Sequence, residues 1–278
     1  MDQPTERVDM SQETWDDEDF IKLGGLSSLP LDADSSACSR TDRLLEQSAL
    51  RGLASGMVGQ DSSAKRRSLT GGRPSSDLLS DEIVVLREPM SPRAADIRRL
   101  AQKLAVHWFR GQETRTALSV ISAERAEGRT TIATNLACVY AQAGVRTLLI
   151  DADLYNPSVH ALFGLDVSDY DERGFLRLYC VDNLSIISAA RSFDVEHGKI
   201  MPSALSELIE RQALEFDVIL VDTTAASVSD DYLFAAISTQ GAIVATSEGK
   251  TKVKAAARML NSCEDAGVKI VGGIMLKS

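Results

Sequence analysis

Ser122-Ala123-Glu124-Arg125-Ala126-Glu127-Gly128-Arg129-Thr130-Thr131 follows an apolar run, Ala117 to Ile121, and leads into a small, apolar stretch that reaches Ala143. Strand, tight loop and helix in that order let successive backbone N–H groups curl round a phosphate. The helix N-terminus adds partial positive charge, and a hydroxyl can reach Mg2+. Ala126, Glu127, Gly128, Arg129, Thr130 and Thr131 are therefore candidate cofactor-binding positions, with Thr130 the natural magnesium ligand. Against the general pattern GxxxxGK[ST], Ala123 stands at the first glycine and Arg129 at the lysine. Arginine keeps the charge and offers a planar fork to phosphate, but it is bulkier than an ammonium. Taken alone, the loop also fits a glycine-capped turn into an ordinary helix, so the surrounding sequence has to arbitrate.

It does so through acids. Leu148-Leu149-Ile150 runs into Asp151-Ala152-Asp153, and Phe216 to Val221 runs into Asp222. These positions lie at the C-terminal ends of strands, where open α/β sheets bind ligands. Like charges so placed repel unless a metal or a phosphate-bound water lies between them. Asp151 and Asp222, with Thr130, are the candidate metal ligands, and Asp151 and Asp153 the candidate catalytic acids. Gly249-Lys250-Thr251 looks like the end of a second such loop, but Val244 stands where its first glycine should be, and it reads as a basic surface turn.

Working outward, short apolar strands are expected at 117–121, 147–150, 184–187, 218–221, 242–245 and 270–276. Helical patterns fall at 131–143, 202–214, 231–239 and 252–266. Alternation of this kind means βαβ units, hence an α/β fold with a mostly parallel sheet covered by helices on both faces. Ser91-Pro92 opens a lead-in helix with Ile97, Leu100, Ala101, Leu104 and Trp108 at helical spacing, followed by a turn at Gly111. Before it, Glu82 to Leu86 reads as a short strand or extended arm. Residues 1–80 are rich in Ser, Asp, Gly, Arg and Gln, too polar to offset chain entropy by burial, and read as a disordered N-terminal tail ahead of a nucleotide-binding domain at 81–278. Within the tail, Asp42 to Leu53 has the pattern of an amphipathic helix.

Composition narrows the function classes. A net charge of -10 argues against a general nucleic-acid or anionic-membrane binder, which needs a positive field. No apolar run reaches the roughly 18 residues of a membrane span, and the start lacks the order of a secretory signal, so a cytoplasmic address is expected. The four cysteines and three histidines are scattered, with no CxxC pair, which disfavours a zinc site or disulfide framework.

Together SAERAEGRTTIATNLA, LLIDADLYNPSVHALFGL and FDVILVDTT resemble the cytoplasmic domain of bacterial tyrosine autokinases of capsule and exopolysaccharide synthesis, within the MinD/ParA-like P-loop ATPases. The resemblance runs from about Leu86 to the C-terminus and is nearest to the soluble kinase-like proteins of chain-length systems, which tend to carry Arg at the loop's cationic position. It implies that Arg129 and Thr130 hold phosphates and Mg2+, that Asp151 and Asp153 form the second acidic motif, and that Asp222 is the Walker B acid. It further implies that Asp151 or Asp153 could activate a tyrosine hydroxyl. ATP and Mg2+ are the implied cofactors, and a membrane polysaccharide chain-length (co-polymerase) protein the implied partner, with homo-oligomerisation in the family.

This sequence departs from the pattern at several positions. Ala126 replaces a usual glycine, and only Arg98 remains of the lead-in helix's ring-assembly charges, with Ala95 and Ala101 in the other places. Thr224-Ala225 replaces prolines after the Walker B strand, and Lys277 stands near the expected base-side asparagine. No tyrosine cluster closes the sequence. Three readings follow: an ATP-binding tyrosine-kinase-like regulator of exopolysaccharide synthesis or export, a non-catalytic scaffold on the same fold, and a positioning ATPase, the last disfavoured by Glu124 where such proteins place a second loop lysine.

Overall fold

A computed structural model describes residues 79–109, 115–176, 178, 180–189 and 202–277. The tail reading for 1–78, with the amphipathic pattern at 42–53, and the turn at Gly111 lie outside the described residues. Elements run α1 (Val84–Arg87), α2 (Pro92–Leu104), β1 (Ala117–Ile121), α3 (Arg129–Gln142), β2 (Thr147–Asp151), α4 (Val159–Leu162), β3 (Phe175–Leu176), β4 (Leu184–Ser188), α5 (Pro202–Gln212), β5 (Val218–Asp222), α6 (Asp231–Thr239), β6 (Gly241–Ser247), α7 (Val253–Asp265) and β7 (Lys269–Leu276).

The sheet order is β3-β4-β2-β5-β1-β6-β7, parallel throughout except for β3, which runs against β4. β1, β2 and β5 are buried along their whole length, as continuous apolar runs in a doubly covered parallel sheet should be. Period-two alternation sends Val218 and Leu220 to the face packed by α1, α2 and α3, and Ile219 and Val221 to the face packed by α5. α6 and α7 cover β6 through a third cluster that includes Tyr232, Met259 and Cys263. α3 is buried nearly all round, which its small residues make possible close to the sheet.

The Ser80 N–H donates to the Leu162 carbonyl at 2.9 Å. The short strand or extended arm expected over Glu82 to Leu86 is instead a single helical turn, α1. The Asn135 side chain accepts from the Val85 N–H at 3.2 Å and donates to the Glu82 carbonyl at 2.8 Å, outweighing the β-propensity of Ile83, Val84 and Val85. α2 starts as read, its N-cap Ser91 accepting from the Ala94 N–H with Pro92 in the first turn. A π-turn, Ala105–Phe109, then delivers Trp108 beneath the sheet. Its indole N–H donates to the Ala117 carbonyl at 2.9 Å, and its ring fills the space at Gly241, where a Cβ would lie 2.2 Å from it. No helix of the described residues is long and apolar enough to cross a membrane.

Candidate functional site

β1 and β5 are neighbours inside the sheet, and the chain leaves β1 for β2 on one side but leaves β5 for β6 on the other, so a crevice opens where β1 ends and the loop 122–128 begins. Gly128 caps α3 with φ 81, a left-handed conformation that glycine takes without strain. Any Cβ there would lie 2.1 Å from the Leu276 side chain, so the loop packs directly on the end of β7. Ala126 is also left-handed, with φ 57, in the place where the resemblance expects glycine. The segment after β5 is tied to the loop: the N–H groups of Ala226 and Ser227 donate to the Ser122 and Ala123 carbonyls at 3.0 and 2.9 Å.

A cleft of about 410 Å³ lies over this loop, lined among others by Arg125, Ala126, Gly128, Arg129, Thr130, Thr131 and Asp153, together with Glu82, Tyr155 and Thr224. Five of the six proposed cofactor-binding positions line it. Glu127 does not: its side chain is fully buried, accepting from the Glu124 N–H at 2.8 Å and from the Thr251 hydroxyl. The Gly249-Lys250-Thr251 run is a turn with Gly249 and Lys250 at the surface, and it also reaches the loop. Lys250 is exposed, but Thr251 braces the loop through Glu127, and Lys252 pairs with Glu124 at 3.2 Å.

Arg129 turns inward. Its Nε donates to the Thr223 carbonyl at 2.8 Å, its Nη1 to the Glu124 carbonyl at 2.9 Å and to the Ser122 hydroxyl, and its Nη2 stands 3.9 Å from Asp153. Burial weakens its hold on its proton, and the charges of Asp222 and Asp153 oppose that effect.

The acids divide by environment. Asp151 and Asp222 are partners in register across β2 and β5. Asp151, almost wholly buried, accepts from the Ser158 and Val159 N–H groups at 3.1 Å and from the Asp153 N–H at 3.3 Å, so it sits beneath the cleft and organises the loop into α4. Asp153 accepts from the Tyr155 and Asn156 N–H groups, each at 3.1 Å, and faces the cleft. Asp222 is fully buried and neither of its oxygens has a well-formed hydrogen bond. The Thr130 hydroxyl is the polar group that eases its charge. Burial pushes both Asp151 and Asp222 above the usual carboxylate range, and their mutual proximity adds to the rise at Asp222.

No cluster of three His, Cys, Asp or Glu side chains able to hold a metal exists among the described residues. A hydroxyl and one under-bonded buried carboxylate, Thr130 and Asp222, are nonetheless a fitting protein share for Mg2+, which keeps several waters and takes other oxygens from phosphates. Sequence reasoning missed Glu82, whose carboxylate accepts from the Thr131 hydroxyl at 2.6 Å across 49 positions, and Tyr155 at the rim. No local signal marks either.

Residues 113–275 match the model of the ParA family, described as NUBPL iron-transfer P-loop NTPase. The chain belongs to the ParA family of P-loop NTPases. Among its relatives, this ParA-family chain is 26% identical over 207 residues to the tyrosine-protein kinase YwqD of Bacillus subtilis, covering 71% of this chain and 86% of that one. It is 29% identical over 208 residues to the succinoglycan biosynthesis transport protein ExoP of Rhizobium meliloti, covering 70% of this chain but 26% of ExoP. The fold matches the kinase domain of the Escherichia coli tyrosine kinase ETK with a TM-score of 0.63 at 22% identity, over 76% of this chain and 84% of that one. The resemblance to bacterial tyrosine kinases read from the three motifs is borne out in both sequence and fold.

Proposed function

We propose that this chain is a cytoplasmic Mg-ATP-binding, tyrosine-kinase-like protein of exopolysaccharide synthesis, acting beside a membrane chain-length partner. The observation that carries the nucleotide half is Asp222, a buried carboxylate without a well-formed hydrogen bond, set beside Thr130 at the root of a phosphate-type loop. The names of the relatives, tyrosine kinases and a succinoglycan transport protein, support the pathway half. In this reading the backbone N–H groups of 126–131 and the α3 N-terminus bind the phosphates, and Thr130 and Asp222 hold Mg2+. The ion would supply charge neutralisation across adjacent phosphates. Asp153, the catalytic candidate that lines the cleft, takes the proton of an acceptor hydroxyl, and Asp151 fixes the loop that carries it. Among the described tyrosines, Tyr155 is the one that lines this cleft. Tyr140, Tyr170 and Tyr232 are buried.

Calorimetry of Mg-ATP binding tests the nucleotide half. Wild type is expected to bind, and Thr130→Ala and Asp222→Asn to weaken binding by about tenfold or more. Unchanged affinity in both variants overturns it. The inward hold on Arg129 favours a second reading, a scaffold that binds nucleotide without turning it over. Incubation with Mg-ATP and the membrane partner separates the two: phosphotyrosine and ADP release support the kinase, and bound but intact ATP supports the scaffold.

A further inference from the structure

Two arginines stand in the loop, and the fold treats them oppositely. Arg129 spends its donors on protein: the Thr223 and Glu124 carbonyls, the Ser122 hydroxyl and, at longer range, Asp153. It is 7% exposed. Swinging it onto a ligand would strand the buried Thr223 carbonyl and the half-buried Glu124 carbonyl that it now satisfies, a cost that opposes such a movement. Arg125 is exposed, lines the same cleft as Gly128 and Thr130, and has no hydrogen bond or ion pair among the described residues. The two guanidinium groups are close enough for the charge of Arg125 to weaken Arg129's hold on its proton. Lys252 is paired with Glu124 beside it.

Resting on the nucleotide site proposed above, we infer that the loop divides one task between two residues: Arg129 is the internal brace that shapes the cradle, and Arg125 is the group that closes on the terminal phosphate of a bound nucleoside triphosphate. A guanidinium suits that place, since its planar fork can give two parallel N–H bonds to one phosphate. Discrimination between triphosphate and diphosphate then rests on Arg125 rather than on the residue at the usual lysine position.

The test uses the full chain with Mg2+, measuring affinity for the non-hydrolysable triphosphate AMP-PNP and for ADP by calorimetry, and melting without nucleotide. Arg125→Ala is expected to lose about tenfold in AMP-PNP affinity, keep ADP affinity within about twofold, and melt like wild type. Arg125→Lys should recover part of the loss. Arg129→Gln should lower the nucleotide-free melting temperature, outright failure to fold being the extreme of the same outcome. Equal losses for both nucleotides in Arg125→Ala, or no loss for either, overturn the assignment, as does an unchanged melting temperature in Arg129→Gln. A wild type that binds neither nucleotide sinks the nucleotide site itself, and this assignment with it.

Discussion

Asp222 and Asp151 lie side by side at the ends of β5 and β2, both buried. Burial first, and then the charge of Asp151, lifts Asp222 to about 8; in an unfolded chain such a group ionises near ~4. Between those values the folded chain holds a proton that the unfolded chain has released. The stability tied to this group is therefore complete below about pH 4 and is lost as pH climbs toward about 8. The nucleotide-free protein should melt at falling temperature across that interval, and Asp222→Asn should flatten the fall; parallel curves for the two proteins would contradict this. Mg2+ binding, which requires the ionised form, should strengthen over the same interval. Ala126 supplies a second prediction at this scale. A left-handed φ of 57 costs an alanine, so Ala126→Gly should raise stability by about 1 kcal/mol in urea titration. A lowered midpoint would show that the position is not strained.

Among the elements, the π-turn after α2 depends on one missing side chain. Trp108 occupies the place of a Cβ at Gly241, so Gly241→Ala should cost roughly 2 kcal/mol and shift the Trp108 emission to the red. Unaltered emission and stability would mean that the ring has room to move. β1 was legible in the sequence because its apolar run meets a recognisable loop. β3 was not: two residues, Phe175 and Leu176, cannot display a period, and they form a strand through pairing with Ile186 and Ile187. α1 misled for the opposite reason, since its β-branched run is overridden by Asn135. At the site, Thr130 could be read from the loop pattern, and Asp151, Asp153 and Asp222 because strand ends announce them. The inward course of Arg129 and the brace between Glu127 and Thr251, which spans 124 positions, are decided by packing that no local pattern encodes.

Taken as a whole, the core on the α3 side of the sheet is closed by the segment that precedes α2. Ile83 and Val85 are fully buried there against the α3 side of the sheet. A chain that begins at Pro89 should therefore be less stable than one that begins at Leu79 by roughly 3 kcal/mol or more, as read from denaturant midpoints. Equal midpoints would show that the segment is an ornament of the fold. The same segment has a second bearing, through Glu82. Its carboxylate holds the hydroxyl of Thr131, which also lines the cleft. One hydroxyl thus has two claimants. A ligand that recruits Thr131 must first displace Glu82, and whatever draws the N-terminal segment off α3 removes that competition beforehand. Thermodynamic reciprocity makes the two effects equal in size: a pull on the segment before α2 and occupancy of the cleft are two handles on a single equilibrium.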